Sequence, residues 1–349
     1  MTVKRTGVVC LSAAVLALWA APFTPAAAQS TESFYKGKQV TVAIGTGVGG
    51  SHDQYGRLIA RYMGKYIPGQ PNLVPKNYPG AGGMALANIF WAQGPKDGST
   101  FGIINRAIMF EPLFNAKNAK GFFDPRKFSW IGATDTVVSV AVAWHTSPVK
   151  TYKDLYKHEM IVGSSGGTTT SVPLLLRSVL GMQFKVVKGY KSGGDVDLAI
   201  ERGEIEGRVP VAWGGLKSRG GDWLEGKKVN MLFQTGLTRH SDLPDLPLAL
   251  EFAKNSDDKK LMELFFAAEE IGYPYAAPPD LPADRLAVLR KAFADTMADK
   301  DFIDEAQKQK LDVNPVTWQQ MTEVVKSAFA APPPIIARLR ESIDLENRN

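Results

Sequence analysis

From Val40 to Met63 the chain reads "VTVAIGTGVGGSHDQYGRLIARYM": an apolar strand, a glycine turn, then a helical pattern. No other stretch constrains the fold as much. Gly45, Gly47 and Gly50 let the backbone bend tightly and come close to a bound group. The first helical turn presents amides without intrahelical partners, and the helix dipole adds partial positive charge there. The junction therefore suits an anion. Its glycines also spell G-x-G-x-x-G, the dinucleotide-binding pattern. A dinucleotide site wants an acid at the end of the second strand to hold the ribose. Here that strand, Asn72–Lys76, ends at Lys76-Asn77 with no Asp or Glu beside it, which counts against a nucleotide.

The strand–turn–helix order recurs. The turn "NYPGAGG" (Asn77–Gly83) closes the second strand, followed by a helix at Met84–Trp91 and a strand at Thr100–Asn105. In the middle, a strand at Met160–Gly163 runs into "SSGGTTTS" and a helix at Val172–Leu180. The strand Phe184–Val187, the helix Gly193–Arg202 and the extended stretch Gly207–Ala212 come next. This alternation predicts an α/β fold with parallel, doubly wound sheets. From Leu281 onward the pattern is helical, and Pro282 and Pro334 suit first helical positions.

Lys4 and Arg5 precede an apolar run from Gly7 to Ala21, and Ala26-Ala27-Ala28 offers a small-residue cleavage site. Residues 1–28 thus read as a secretory signal peptide, and the expected location is periplasmic. The remainder, about 320 residues, is long enough for two lobes. The only cysteine, Cys10, lies in the signal, so neither a disulfide framework nor a cysteine zinc site is expected. Without Lys4 and Arg5 the formal charge of +6 falls to +4, with the basic residues scattered, which argues against nucleic acid.

Two junctions, Gly45–Asp53 and Gly163–Ser171, share the anion-binding design, and the loop Pro79–Gly83 adds donors. Ser51, Ser164, Ser165, Thr168 and Thr169 bring hydroxyls; the alternative for each is a tight turn with a capping side chain. His52 opens the first helix beside the turn, where ligand contact and simple exposure are both open. Arg106 stands at the carboxyl end of a strand, where α/β sheets bind ligands, and could pair with a carboxylate. For Arg208 a protein carboxylate is the expected partner. Tyr190 and Trp213 could wall a pocket or pack in the core. Gly163-Ser164-Ser165-Gly166-Gly167 is also a literal G-x-S-x-G, so a serine esterase using Ser165, with Asp222 or a neighbour and His240, is a rival. The four histidines show no metal spacing, and no cofactor is expected.

Five segments in order carry a family resemblance: "GVGGSHDQYGRLIARYM", "KNYPGAGGMALANIFWAQGPKDGSTFGI", "GSSGGTTTSVPLL", "KGYKSGGDVDLAIERGEIEGR" and "RHSDLPDLPLALEF". They resemble the Bug-type extracytoplasmic receptors of tripartite tricarboxylate transporters over nearly all of the mature chain. The resemblance implies a two-lobed, type II Venus-flytrap fold, each lobe a mixed, mostly parallel sheet flanked by helices. Lobe 1 would take 29–134 plus 270–349 and lobe 2 would take 135–269, with crossings near Ile131–Val138 and Ala267–Tyr273. It implies a monomer that captures a small organic acid and delivers it to integral membrane permease subunits, without catalysis. A co-receptor passing the same ligand to a signalling protein is a further alternative. The positions implied for binding are Gly49, Gly50, Ser51 and Asp53, then Gly80, Ala81, Gly82 and Gly83, and in the second lobe Ser164, Ser165, Gly166, Thr168, Thr169 and Tyr190. Asp53 is expected to cap its helix. Departures stand at Val48, where the family usually has proline, at His52, and at Pro210 in place of a frequent Asp.

Overall fold

The computed structural model describes residues 1–2, 30–80, 83–114, 123–190, 192–219 and 221–344, so the expected signal segment lies almost wholly outside the described residues. Helix α1 (Thr31–Tyr35) leads into β1 (Gln39–Ile44), α2 (Ser51–Tyr62), β2 (Asn72–Asn77), α3 (Met84–Ala92), β3 (Thr100–Ile103), α4 (Glu111–Phe114) and β4 (Ser129–Ala133). Residues 134–138 then cross to a second sheet. There β5 (Ser139–Trp144), β6 (Met160–Ser164), α5 (Thr168–Leu180), β7 (Phe184–Lys188), α6 (Gly193–Glu201) and β8 (Gly207–Ala212) follow in turn. Next come α7 (Trp213–Arg219), α8 (Gly221–Glu225), β9 (Val229–Thr235) and α9 (Ser256–Phe266). The chain returns through 267–273 to β10 (Pro274–Ala277). It ends with α10 (Ala283–Met297), α11 (Lys300–Lys308), β11 (Val316–Thr317), α12 (Trp318–Phe329) and α13 (Pro333–Ile343).

The first sheet has the order β11-β4-β10-β3-β1-β2 and the second β7-β6-β8-β5-β9. Both are mixed, as expected for lobes built on mixed, mostly parallel sheets flanked by helices. β1 is parallel to β2 and β3, whereas β10 is antiparallel to β3 and β4, and β11 to β4. In the second sheet β6 is parallel to β7 and β8, and β5 is antiparallel to β8 and β9. The cause is the crossings. β4 leaves its sheet at the carboxyl edge of β1–β3, and β10 comes back in at that same edge, so it must run against them. β5 likewise enters the second sheet at the edge where β6 to β9 end. The carboxyl edges of both sheets therefore meet at the crossings. Inside the crossings, Val137 N–H donates to the Glu269 carbonyl (2.8 Å) and Thr134 N–H to that of Tyr273 (3.3 Å), so the two segments lie side by side.

Three apolar clusters hold this frame. One face of the first sheet packs Tyr35, Ile44, Tyr55, Phe101, Tyr275, Phe293 and Phe302 against α2, α10 and α11. One face of the second packs Val140, Val142, Ile200 and Trp223 beneath α6 and α8. The third cluster spans both halves, running from Phe90, Phe110 and Trp130 through Phe265 and Phe266 to Leu175 and Phe233. Helix α13 adds to this bridge and does not pack with the first half alone. Arg340 Nε donates to the Leu113 carbonyl (2.9 Å), Arg338 pairs with Asp258 of α9, and Ser178 of α5 bonds Ser342 (3.2 Å).

The β1–β3 ladder leaves no room for a side chain at Gly102, where a Cβ would stand 2.1 Å from the Ala43 carbonyl oxygen. Gly102→Ala is expected to destabilise the fold by on the order of 2–3 kcal/mol. Urea unfolding should show a lower midpoint with an unchanged slope.

Candidate functional site

β1 ends at Ile44, opposite Asn77 of β2 and Ile103 of β3, so the residues that follow these strands gather at one edge. Gly49, at φ +93°, turns the chain, and Gly50 is the N-cap of α2. The first intrahelical bond runs from Gln54 N–H to the Gly50 carbonyl (3.0 Å), which leaves the amides of Ser51, His52 and Asp53 as first-turn donors. A Cβ at Gly47, Gly49 or Gly50 would meet nothing within 4 Å, and Val48 is 76% exposed, so the turn borders open space.

Asp53 is buried and already saturated. It accepts from Gly49 N–H (3.0 Å), Arg57 Nε (3.0 Å) and Asn77 Nδ2 (2.9 Å), and these bonds hold its carboxyl below the ordinary range against the upward push of burial. Asn77 also donates to the Thr46 carbonyl (3.0 Å) and accepts from Arg57 (2.9 Å). Where a dinucleotide site needs an acid, this chain has an amide that clamps the first glycine turn to the second. Arg57 is legible in the sequence as the i+4 partner of Asp53. Asn77 carries no comparable local signal.

In the second turn, Gly83 is left-handed at φ +107° and its amide donates to the Gly80 carbonyl (2.9 Å). Ala81 and Gly82 lie outside the described residues. Arg106 follows β3 at the same edge, but its charge is already compensated. Its guanidinium pairs with Glu269 at 3.0 Å, with side chains only 14% and 5% exposed. Of the two partners open to Arg106 from sequence, a ligand carboxylate or a protein one, the structure shows a protein carboxylate, 163 positions away and so not legible beforehand. His52 stacks edge-on with Tyr273 (ring centroids 5.0 Å), and its Nε2 is sealed from solvent without a hydrogen-bond partner among the described residues. Burial, aided by Arg106, drives its pKa down to about 3, so the ring is neutral at neutral pH.

The second junction stands at the carboxyl edge of the other sheet, where Ser164 of β6 lies opposite Lys188 of β7. Gly166 and Gly167, at φ +97° and +59°, carry the chain into α5, and a Cβ on either would meet nothing within 4 Å. The buried Ser164 hydroxyl shares hydrogen bonds with Thr170 (2.6 Å) and Thr169 (2.9 Å) and accepts from Gly166 N–H (3.0 Å). Its role is to shape the loop, while Ser165 is exposed and Thr168 and Thr169 form the first helical turn. The helix starts four residues before the sequence expectation, at Thr168, with Pro173 inside it. Tyr190 closes over Gly163, whose Cβ would stand 3.2 Å from its ring. Arg208 pairs with Asp197 (2.8 Å), as expected. His240 packs beside Trp213 and its Nδ1 accepts from Asp242 N–H (3.0 Å); among the described residues no hydrogen bond joins it to Ser165.

Sequence reasoning also missed the ionic contact between the halves. A pocket lined by Ser51, Tyr55, Asp135, Trp213, His240 and Asp312 lies against the crossings. Beside it, Lys217 of α7 bridges Asp242 (3.0 Å) in its own half and Asp312 (3.3 Å) in the other. Tyr55 O–H donates to the Asp312 carbonyl (2.6 Å), and Asn314 Nδ2 to Asp135 (2.9 Å).

This is the architecture of two-lobed periplasmic binding proteins, and solved structures bear it out. A TctC solute-binding protein from Polaromonas matches with a TM-score of 0.65 at 17% identity, covering 89% of this chain and 99% of its own. The periplasmic binding protein BugD matches at 0.65 and 18% identity, over 88% and 98% of the two chains. MatC from Rhodopseudomonas palustris, with bound malate, matches at 0.62 and 19% identity, over 88% and 99%. No family model and no curated protein matches the chain. At such identities the likeness establishes the fold.

Burial pushes the Asp135 carboxyl up to about 7, with the Asn314 hydrogen bond opposing and Asp312 adding to the shift. A raised carboxyl stabilises the fold at low pH, and that contribution is lost as pH rises from the ordinary carboxylate range to about 7. Asp135→Asn keeps an acceptor for Asn314 and removes the titration. Relative to wild type it should gain on the order of a few kcal/mol between about pH 4 and pH 8. Chemical denaturation of both proteins at the two pH values checks this.

Proposed function

We propose that the protein is a periplasmic solute receptor that captures a small organic acid, most simply a carboxylate, and hands it to an integral membrane permease. One observation carries this reading. The two helix starts bordered by open glycines, at Ser51 and Thr168, stand at the carboxyl edges of two sheets that meet across a pair of short crossings. Lobes 29–134 with 270–349, and 135–269, would close on the ligand about those crossings. The bound malate of MatC, a protein of this fold, supports a carboxylate. So do the five sequence segments that resemble the Bug-type receptors.

The chemistry follows from which groups are free. Arg106 and Arg208 are paired within the protein, and His52 is neutral. The donors left to a carboxylate are neutral: the amides of Gly50 to Asp53 and of Gly167 to Thr169, and the hydroxyls of Ser165 and Thr168. Hydrogen bonds to an ionised acceptor are stronger than neutral ones, so such donors hold an anion without a counter-cation. Oriented amides at the helix starts need little reorganisation on binding, which favours selectivity for shape over net charge.

Isothermal titration of the mature protein against mono-, di- and tricarboxylates tests the proposal. One acid class should bind at one equivalent, and silence across the panel, with no thermal shift, would refute it. With neutral donors, Kd should change by less than about threefold between low and high salt, where an exposed lysine or arginine clamp would lose more. Hydrolysis of a generic ester that vanishes in Ser165→Ala would instead favour the esterase.

A further inference from the structure

A large cavity lies away from both glycine junctions. It is a groove of about 870 Å³ between α9, the return crossing and α12. That volume falls among small-molecule sites. Leu264, Ala267, Val316, Val324 and Ala328 make its walls apolar. Four charged groups face it: Glu263, Glu270, Glu323 and Lys260. Glu263 pairs loosely with Lys259 (3.9 Å), the exposed Glu323 accepts from Ser327 (3.3 Å), and Lys260 is exposed. Glu270 differs. It is partly buried, and no hydrogen bond or ion pair reaches its carboxylate among the described residues. Burial alone pushes its pKa upward.

We propose that this groove binds an organic cation with an apolar body, an ammonium or amidinium seated on Glu270 and its hydrocarbon portion against Leu264, Val324 and Ala328. Charge decides against an anion, because three carboxylates face the space and one ammonium does. The walls decide against a bare metal ion, and no group of three or more ligating side chains that could hold one occurs among the described residues. A wholly neutral ligand would remove more water from the partly buried Glu270 carboxylate without compensating its charge, which is costly. Thr136 and Glu270 belong to the two crossings, so the occupant would touch both segments about which the halves are joined. The site is independent of the anion-binding reading.

The test is titration calorimetry of the full mature chain at pH 8 with 3-phenylpropylamine and its neutral analogue 3-phenyl-1-propanol. The amine should bind at one equivalent and at least about tenfold tighter than the alcohol. Glu270→Gln should remove that preference while leaving the alcohol unchanged. Val324→Lys, at a partly exposed position, should block both, and Lys260→Ala should tighten the amine. Absence of saturable amine binding in the wild type would overturn the proposal. So would equal affinity for amine and alcohol, or amine binding that survives both Glu270→Gln and Val324→Lys unchanged. Carboxylate binding by the Glu270→Gln protein reports separately on the anion site.

Discussion

The buried pair of Arg106 and Glu269 sets the terms for the rest of the molecule. Arg106 begins the 3-10 turn just after β3, at the edge where the glycine loops gather, and Glu269 sits in the return crossing. Their 3.0 Å contact fixes the crossing to that edge, and the Glu269 carbonyl in turn receives Val137 N–H from the outgoing crossing. Two buried charges are costly to desolvate, and deleting one partner typically costs about 3–5 kcal/mol because the other is left uncompensated. The pair is thus poor evidence of extra stability but a strong constraint on geometry. It also commits the guanidinium nearest the first glycine junction to a protein partner. His52 fits the same logic: a protonated imidazole beside a buried Arg106 would repel it, and the ring is held neutral.

What could be read in advance divides along a physical line. Strands and glycine turns are local: β1 reads as strand because its residues are mostly apolar and followed by glycine, whereas the start of α5 falls four residues early because Gly166 and Gly167 let the threonines enter the helix. The alternation also gives an α/β fold. It does not give strand direction, because β5 and β10 look like any other strand until the crossings are known to enter at the carboxyl edges. The site divides the same way. The Asp53–Arg57 pair is legible, since the two stand one helical turn apart, but the carboxylate braces the glycine turn through Gly49 N–H and makes no cap bond to the helix. The Asn77 clamp depends on the parallel register of β1 with β2. The pairing of Arg106 depends on a residue from the other end of the fold, and no window of sequence contains both.

The third apolar cluster adds a limit on how the halves can move. Phe265 and Phe266 of α9 join the cores of both sheets, and α13 is tied to α4, α5 and α9 at once. Side chains packed at crystal-like density do not deform continuously. The chain segments that join the halves are the crossings, residues 134–138 and 267–273. Those segments are short and joined to each other by two backbone hydrogen bonds.

Protonation near neutrality acts on the outgoing crossing. Tyr273 touches His52 on one side and lines the pocket of Asp135 on the other. With the imidazole depressed to about 3 and the carboxyl raised to about 7, His52 keeps one state through the neutral range while Asp135 changes its own. The group that responds near neutrality is thus a carboxyl in the outgoing crossing, beside the lysine that bridges Asp242 and Asp312. Ionised Asp135 competes for the same ammonium as the two other carboxylates, and neutral Asp135 does not. The backbone amides at Ser51 and Thr168 have no proton to gain or lose in this range. The response of the molecule to pH in this range therefore begins at the contact between the halves, with the amides at the helix starts unaltered.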